Sequence, residues 1–239
     1  MASRNQKNSK KYPQFSLHPY GIALLLFALL FGVIGGYVVL FSKAATPLAW
    51  SPPSGYTSYP VKTVTPNANT QTISGGGGDM LVKLPSTPTG PITFTSCRNV
   101  VVIGGQINLP PNSGPGTDMR GFYINGCTGT VHIEGVYING DIATAEGDGI
   151  AINAPEAIVQ IENVRVNKLY GGQDTAVHNH SDIIQPWGGV KELRVDHLSG
   201  TTNFQGFQIN DDQGHIGKVI IKNANIGDSG VAPPTSNGG

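Results

Sequence analysis

The sequence is poor in charged side chains, in cysteine and, beyond its N-terminal part, in any helical pattern. Only 13% of its 239 residues are charged, and two are cysteine. The first 78 residues contain no acid, whereas the rest contains nine Lys and Arg against fifteen Asp and Glu. An acidic domain without clustered bases is a poor partner for phosphate backbones, because that binding requires Lys and Arg to release counterions. Nucleic acid is therefore excluded as the expected partner.

One long hydrophobic run stands out from this polar composition. Residues 20–41 form 22 consecutive positions without a charge, YGIALLLFALLFGVIGGYVVLF. At about 1.5 Å per residue, a helix of this length covers the ~30 Å hydrocarbon core of a bilayer. Basic residues precede the run, so the positive-inside rule predicts a basic cytoplasmic tail at 1–19 and an extracellular remainder. The sequence thus predicts a single-pass protein of the cell membrane, anchored by an N-terminal transmembrane α-helix.

A cleavable signal peptide is the alternative interpretation of this run. Ser42 and Ala44 supply small residues for cleavage near Ala44, which would release a secreted protein. A signal core usually has only about 7–15 apolar residues, so the longer run favours the anchor. Residues 42–69 are rich in Pro, Ser and Thr and predict an extended spacer between the membrane and the following domain.

Short β-type segments recur about every 30 residues through residues 70–232, and residues 233–239 predict a flexible tail. Each segment has a short strand, a polar corner and a longer strand of alternating apolar residues. The five segments begin at Ile92, Phe122, Ile150, Ile183 and Phe207. Such repeats bury their apolar side by stacking as parallel rungs about 4.8 Å apart. The prediction is an all-β domain, a right-handed parallel β-helix of about five rungs; a β-sandwich is the alternative, favoured by the Asn-Gly pairs at 125–126 and 139–140.

Equivalent positions of neighbouring rungs carry equivalent residues. Cys97 and Cys127 occupy the same place in consecutive rungs, which predicts Cα atoms near 5 Å and makes the pair a disulfide candidate. Two buried free thiols are the alternative, since cysteine also packs as a small apolar residue. Asn125, Asn153 and Asn210 each follow the first strand of a rung, which predicts a ladder of side-chain amides.

The rungs and two phrases, VVVIGG (100–105) and NHSDIIQPWGG (179–189), resemble the pectate-lyase-like superfamily of right-handed β-helices. The resemblance covers about residues 70–230. Members of that superfamily include polysaccharide lyases, glycoside hydrolases, phage tailspikes and non-catalytic surface proteins. The resemblance implies the fold, but it does not select an activity, because function depends on sites grafted onto a fold.

One candidate site lies where the rungs begin. Counting back from the second strands places Arg120, Asp148, Asp182 and Gln205 in one column. Carboxylates of Asp148 and Asp182 near 5 Å apart would share a proton or bind a cation such as Ca²⁺, and retaining glycosidases space their acids similarly. The alternative is that both aspartates only form turns.

A second column points outward beside the first and predicts a saccharide-binding face. It contains Tyr123, Ala151, Gln185 and Gln208, and Trp187 follows closely in the sequence. The rings of Tyr123 and Trp187 could stack on sugar faces, with Arg120, Gln185 and Gln208 as further substrate-binding residues. The longest loop carries His178 and His180, which would assist Asp148 and Asp182 in catalysis or simply lie in solvent.

These features predict a membrane-anchored cell-surface protein that binds or adheres to a polysaccharide or a cell-surface glycan. The first alternative is a polysaccharide lyase or glycoside hydrolase that uses Asp148 and Asp182. The second is a structural surface spacer. No cofactor follows with certainty from the sequence, and Ca²⁺ at the two aspartates is the candidate.

Overall fold

The computed structural model describes residues 47–110, 120–140, 147–171 and 181–230. Apart from Pro47, all of these residues belong to one compact unit, Leu48–Gly239. Within the described ranges the only helix is a 3-10 turn at Tyr56–Ser58. None of the described helices is long and apolar enough to cross a membrane, and the hydrophobic run at 20–41 lies outside the described residues.

The described part of the chain forms sixteen β-strands, and every strand pairing is parallel. The strands are β1 (Val61–Thr63), β2 (Gln71–Ser74), β3 (Met80–Lys83), β4 (Ile92–Thr95), β5 (Val100–Ile103), β6 (Gln106–Asn108), β7 (Phe122–Asn125), β8 (Thr130–Glu134), β9 (Tyr137–Asn139), β10 (Ile150–Glu162), β11 (Arg165–Leu169), β12 (Ile184–Gln185), β13 (Val190–Asp196), β14 (Leu198–Thr202), β15 (Ile216–Ile221) and β16 (Ala224–Asp228). Paired residues come from successive repeats: Phe122 pairs with Ile92 on one side and Ile150 on the other. Hairpins pair antiparallel, so this pattern excludes the alternative of a hairpin-built sandwich.

The strands make three parallel faces, of which two join into one curled sheet of eleven strands. The first face contains β2, β4, β7, the start of β10 and β12. The second face contains β1, β3, β5, β8, the end of β10, β13 and β15. The third face is a separate sheet of five strands, β6, β9, β11, β14 and β16, and is called the third sheet below. Strand β10 is thirteen residues long and joins the first face to the second.

The core lies between these faces and consists of alternate strand residues. Phe94 of β4 and Phe122 of β7 lie two register positions apart on neighbouring strands, are fully buried, and stack with ring centroids 5.6 Å apart. Other fully buried core residues include Ile124, Ile133, Ile138, Ile150, Ile152 and Ile161. Burying one such side chain stabilises the fold by about 1.5–3 kcal/mol. The alternating pattern therefore sets which side chains point outward and can form a site.

A tight bend in each rung separates the second face from the third sheet. Successive bends have a residue in the left-handed region: Gly104, Gly135, Asn163, His197 and Asn223 have φ of 69°, 66°, 54°, 51° and 43°. Glycine has no Cβ to clash in this region, and asparagine and histidine are enriched there, so these residues allow the bend that interrupts the alternating pattern.

Asn-Gly pairs, which favoured hairpins in the sequence, have other roles in the parallel stack. Gly126 has φ of 69° and turns the chain out of β7. Gly140 passes close to the next rung, where an added Cβ would lie 2.5 Å from the Lys168 carbonyl oxygen. Both glycines thus serve corners between rungs, where positive φ or close backbone approach excludes a side chain.

Two neighbouring rungs are also joined through side chains. A disulfide joins Cys97 to Cys127, and the two Cα atoms are 4.4 Å apart. Closing a loop of this length stabilises a fold by about 4 kcal/mol in the chain-entropy account. The side-chain nitrogen of Asn153 donates to Oδ1 of Asn125 over 3.2 Å. Asn210 does not extend this ladder: its Oδ1 accepts from the Asp212 backbone nitrogen instead.

The segment before β2 packs on the second face instead of running free. The backbone nitrogens of Ala49 and Trp50 each donate to the Glu162 carboxylate over 2.8 Å. Nζ of Lys222 lies 4.8 Å from the ring centroid of Trp50. Further along, β1 pairs with β3. The folded unit therefore includes residues that the sequence assigned to a spacer at 42–69, because Glu162 supplies acceptors that a Pro- and Ser-rich segment can reach.

Candidate functional site

The column Arg120, Asp148, Asp182 and Gln205 lies in register across four successive rungs. The residue after each of the first three donates its backbone N–H to the carbonyl oxygen of the next column member, over 2.9, 2.8 and 3.1 Å. This backbone ladder holds the four side chains in a row at the start of the first face. Asp148 and Asp182 are therefore neighbours.

Asp148 connects two rungs through its carboxylate. Its Oδ1 accepts from the backbone nitrogen of Asp182 over 3.1 Å, and its Oδ2 lies 3.5 Å from Nε of Arg120. The turn interpretation expected the carboxylate to bond an amide two positions along its own chain. In the structure the amide belongs to the next rung, so Asp148 joins rungs. A guanidinium and an amide donor both complement a carboxylate.

Asp182 has the most perturbed environment in this column. Its side chain is fully buried, and within the described ranges neither carboxyl oxygen makes a hydrogen bond of good geometry, although the backbone N–H of Gln205 interacts with the carboxyl group. Burial raises the pKa of Asp182 to about 8; the charge of Asp148 acts in the same direction, and the Gln205 backbone N–H opposes both. Because a buried negative charge is costly and this one N–H offsets only part of the cost, the neutral acid is favoured at pH 7. The pair therefore holds a protonated acid beside Asp148.

The outward column beside it is also in register. Ala151 of β10 pairs with Tyr123 of β7 on one side and with Gln185 of β12 on the other. On the next rung, Gln208 accepts at Oε1 a hydrogen bond from Nε2 of Gln185. Among the described residues this leaves Oε1 of Gln185 as an acceptor and Nε2 of Gln208 as a donor without side-chain partners. The two glutamines thus offer complementary groups to a ligand hydroxyl.

An aromatic pair with a cation above it lies next to the two glutamines. The rings of Tyr123 and Trp187 stack with centroids 6.2 Å apart and an interplanar angle of 22°. Cζ of Arg120 lies 4.9 Å from the Tyr123 ring centroid and 5.9 Å from that of Trp187. Both rings are half-buried. The guanidinium, held also by Asp148, fixes the rings in place through cation–π attraction.

A glycine corner positions Trp187. Gly188 packs so closely on the Asn153 side chain that any Cβ would clash with it, and Gly189 has φ of 93°. Nε1 of Trp187 is buried and has no hydrogen-bond partner in the described part of the chain. The indole therefore remains a donor without a described acceptor beside the aromatic pair.

Two of the predicted site residues and the predicted cation cannot be placed in this arrangement. His178 and His180 lie outside the described residues. In the ranges that the structure does describe, no group of three or more His, Cys, Asp and Glu side chains could hold a metal ion. Ca²⁺ prefers six to eight oxygen ligands, mostly from ionised carboxylates, whereas Asp182 favours its protonated form.

Sequence reasoning brought the members of both columns together but missed how they interact. The stacking of Arg120 on two rings depends on side-chain directions, for which the sequence carries no signal. Together, the described side chains offer a half-buried aromatic pair, a fixed cation and paired amides, which suit a polyhydroxylated ligand. No protein-family model, no curated protein and no solved structure matches the chain.

Proposed function

We propose that the chain is a cell-surface carbohydrate-binding protein whose first face binds a polysaccharide or a surface glycan. The observation that carries this proposal is the stack of Tyr123 and Trp187 beneath Arg120, next to the Gln185–Gln208 pair. Aromatic rings pack on the apolar faces of sugar rings, and amides hydrogen-bond their hydroxyls. Glycan binding is the simplest function for such a combination on a rigid strand scaffold.

The proposal includes a finer assignment of fold and location. The fold is a right-handed parallel β-helix of the pectate-lyase-like superfamily, which parallel pairing between successive repeats supports. The run at 20–41 anchors the chain in the cell membrane, with residues 1–19 in the cytoplasm and the β-domain outside. In this arrangement the first face meets extracellular glycan.

Binding is tested by measuring the affinity of the full chain, in neutral detergent, for glycans selected on an array. Tyr123→Ala and Trp187→Ala are each expected to weaken binding at least tenfold, about 1.4 kcal/mol. Tyr56→Ala, which removes a half-buried tyrosine in the 3-10 turn, is the matched control and should leave affinity unchanged. Equal affinity of all three variants and the wild type would remove the first face as the binding site.

Polysaccharide cleavage is the second candidate function, and the Asp148–Asp182 pair favours it. An acid whose pKa is raised to about 8 is protonated at neutral pH and can act as a general acid beside a carboxylate. The full burial of Asp182 argues for binding instead, because a general acid has to reach the glycosidic oxygen.

Cleavage is tested with Asp182→Asn, which keeps the shape of the side chain and removes its transferable proton. The release of reducing or unsaturated sugar ends should be lost, while the melting temperature remains within a few degrees of that of the wild type. A variant that cleaves as fast as the wild type would exclude Asp182 from catalysis. If the wild type neither binds nor cleaves any glycan, the chain is a structural surface spacer.

A further inference from the structure

The third sheet has a polar outer face that is separate from the Tyr123–Trp187 pair. Two rows of outward side chains cross its strands in register. They are Gln106, Tyr137, Arg165, Ser199 and Asn225 in one row and Asn108, Asn139, Asn167, Thr201 and Gly227 in the other. Toward the later strands these rows border an open hollow of about 280 Å³. We call this hollow the third-sheet groove.

A missing side chain opens the third-sheet groove. Gly227 occupies the row position that Thr201 and Asn167 fill on the preceding strands. A Cβ built at Gly227 would meet only Cγ2 of Thr201, at 3.6 Å, which is ordinary van der Waals contact. Gly227 also lines a second hollow, of about 360 Å³, beside Phe204 and Asp228. The open space therefore results from the glycine at position 227, and a larger side chain there could fill it without straining the backbone.

Arg165 gives the groove a positive charge that its surroundings do not neutralise. The other described arginines, Arg98, Arg120 and Arg194, have a carboxylate oxygen at 2.5, 3.5 and 3.0 Å. Arg165 has no carboxylate partner among the described residues and is exposed. Its Cζ lies 5.4 Å from the ring centroid of Tyr137. Cation–π attraction thus holds the guanidinium in place while its N–H groups remain available.

The other polar groups of the groove add further hydrogen-bond donors. Oγ1 of Thr201 donates to Oδ1 of Asn167 over 3.0 Å and accepts from the Lys168 backbone nitrogen over 2.9 Å. This leaves Nδ2 of Asn167 without a partner in the described part of the chain, and the Asn225 amide is likewise unpaired there. A guanidinium and two amide groups lining one hollow match the oxygens of an oxyanion.

We infer that the third-sheet groove binds a saccharide through an oxyanion substituent, a carboxylate or a sulfate ester. Arg165 pairs with the oxyanion, and the Asn167 and Asn225 amides take neighbouring oxygens. A volume of about 280 Å³ lies near the lower end of small-molecule pockets, at about 300 Å³, which suits a sugar unit. This inference does not depend on the proposed function, because no residue of the first face takes part.

The test measures the affinity of the full chain, in neutral detergent at low salt, for a sulfated disaccharide, its unsulfated form and inorganic sulfate. Arg165→Gln should weaken binding of the sulfated form at least tenfold and of the unsulfated form less than twofold. Gly227→Leu should weaken both forms at least tenfold by filling the groove. Lys62→Gln, which removes an exposed charge on β1, should change neither by more than twofold.

Four outcomes would overturn the inference. Equal losses in Arg165→Gln and Lys62→Gln would indicate general charge attraction, and full binding by Gly227→Leu would place the ligand elsewhere. Wild-type affinity as high for the unsulfated as for the sulfated disaccharide would remove the role of the oxyanion. Inorganic sulfate binding as tightly as the sulfated sugar would assign the groove to a free anion. Tyr123→Ala should leave these affinities unchanged, so failure of the first face remains distinguishable.

Discussion

Asp182→Asn tests the buried acid through the pH dependence of stability. In the folded protein Asp182 keeps its proton up to a pKa of about 8, whereas the unfolded chain releases it near 3.8. Between these values the folded state binds more protons than the unfolded state, so the free energy of unfolding falls as pH rises. This loss of stability is complete above pH 8. Asparagine does not titrate, so the substitution removes this dependence.

The size of this loss in the free energy of unfolding follows from the difference between the two pKa values. At 1.36 kcal/mol for each pKa unit, the full loss between pH 3.8 and 8 is at most about 6 kcal/mol. Between pH 4 and pH 7 about 4 kcal/mol of this is expected. The unpaired amide of asparagine costs about 1–3 kcal/mol at every pH, so the diagnostic quantity is the slope, not the level.

The assay is urea unfolding of the wild type and Asp182→Asn at pH 4, 5, 6, 7 and 8. The variant's free energy of unfolding, relative to the wild type, should rise by up to about 4 kcal/mol from pH 4 to pH 7. Asp212→Asn removes an exposed carboxyl group and serves as the matched control, in which the wild-type slope should persist. An Asp182→Asn protein with the wild-type slope would refute the argument that Asp182 is buried as a neutral acid.

Two further predictions concern the contacts between rungs. Replacing both Cys97 and Cys127 by alanine should lower the free energy of unfolding by about 4 kcal/mol, measured by urea unfolding; two titratable thiols in the denatured, unreduced wild type would contradict the bond. Gly140→Ala should cost about 1–3 kcal/mol in the same assay, because its Cβ would lie 2.5 Å from the Lys168 carbonyl oxygen. Gly227→Ala is the control, with a change within about 0.5 kcal/mol, and equal effects of the two would refute the close approach.

The repeat in the sequence predicted most of the neighbours across rungs, although Asn210 does not join the predicted asparagine ladder. The alternation of apolar residues gives the buried face of each strand, and the spacing of repeats gives the register that aligns Tyr123 with Ala151 and Asp148 with Asp182. Parallel rungs make this possible, because one alignment of repeats fixes all pairings at once. The all-parallel β architecture could therefore be predicted from periodicity and spacing.

Contacts that do not repeat could not be predicted in this way. The bonds from Ala49 and Trp50 to Glu162 join residues more than 110 positions apart in the sequence, and the segment that donates them has no periodicity. The burial of Asp182 depends on everything packed around it. The third-sheet groove depends on one glycine at one row position. Such features follow from side-chain directions and local packing, which a repeat pattern does not encode.

The most direct test of the central claim, glycan binding by the first face, is a double-mutant cycle on Tyr123 and Trp187. Because their rings stack at 6.2 Å, the losses of affinity from Tyr123→Ala and Trp187→Ala should not add. The double variant should bind little more weakly than the weaker single variant, and at least tenfold more weakly than the wild type. A double variant that binds glycan as tightly as the wild type would contradict the account.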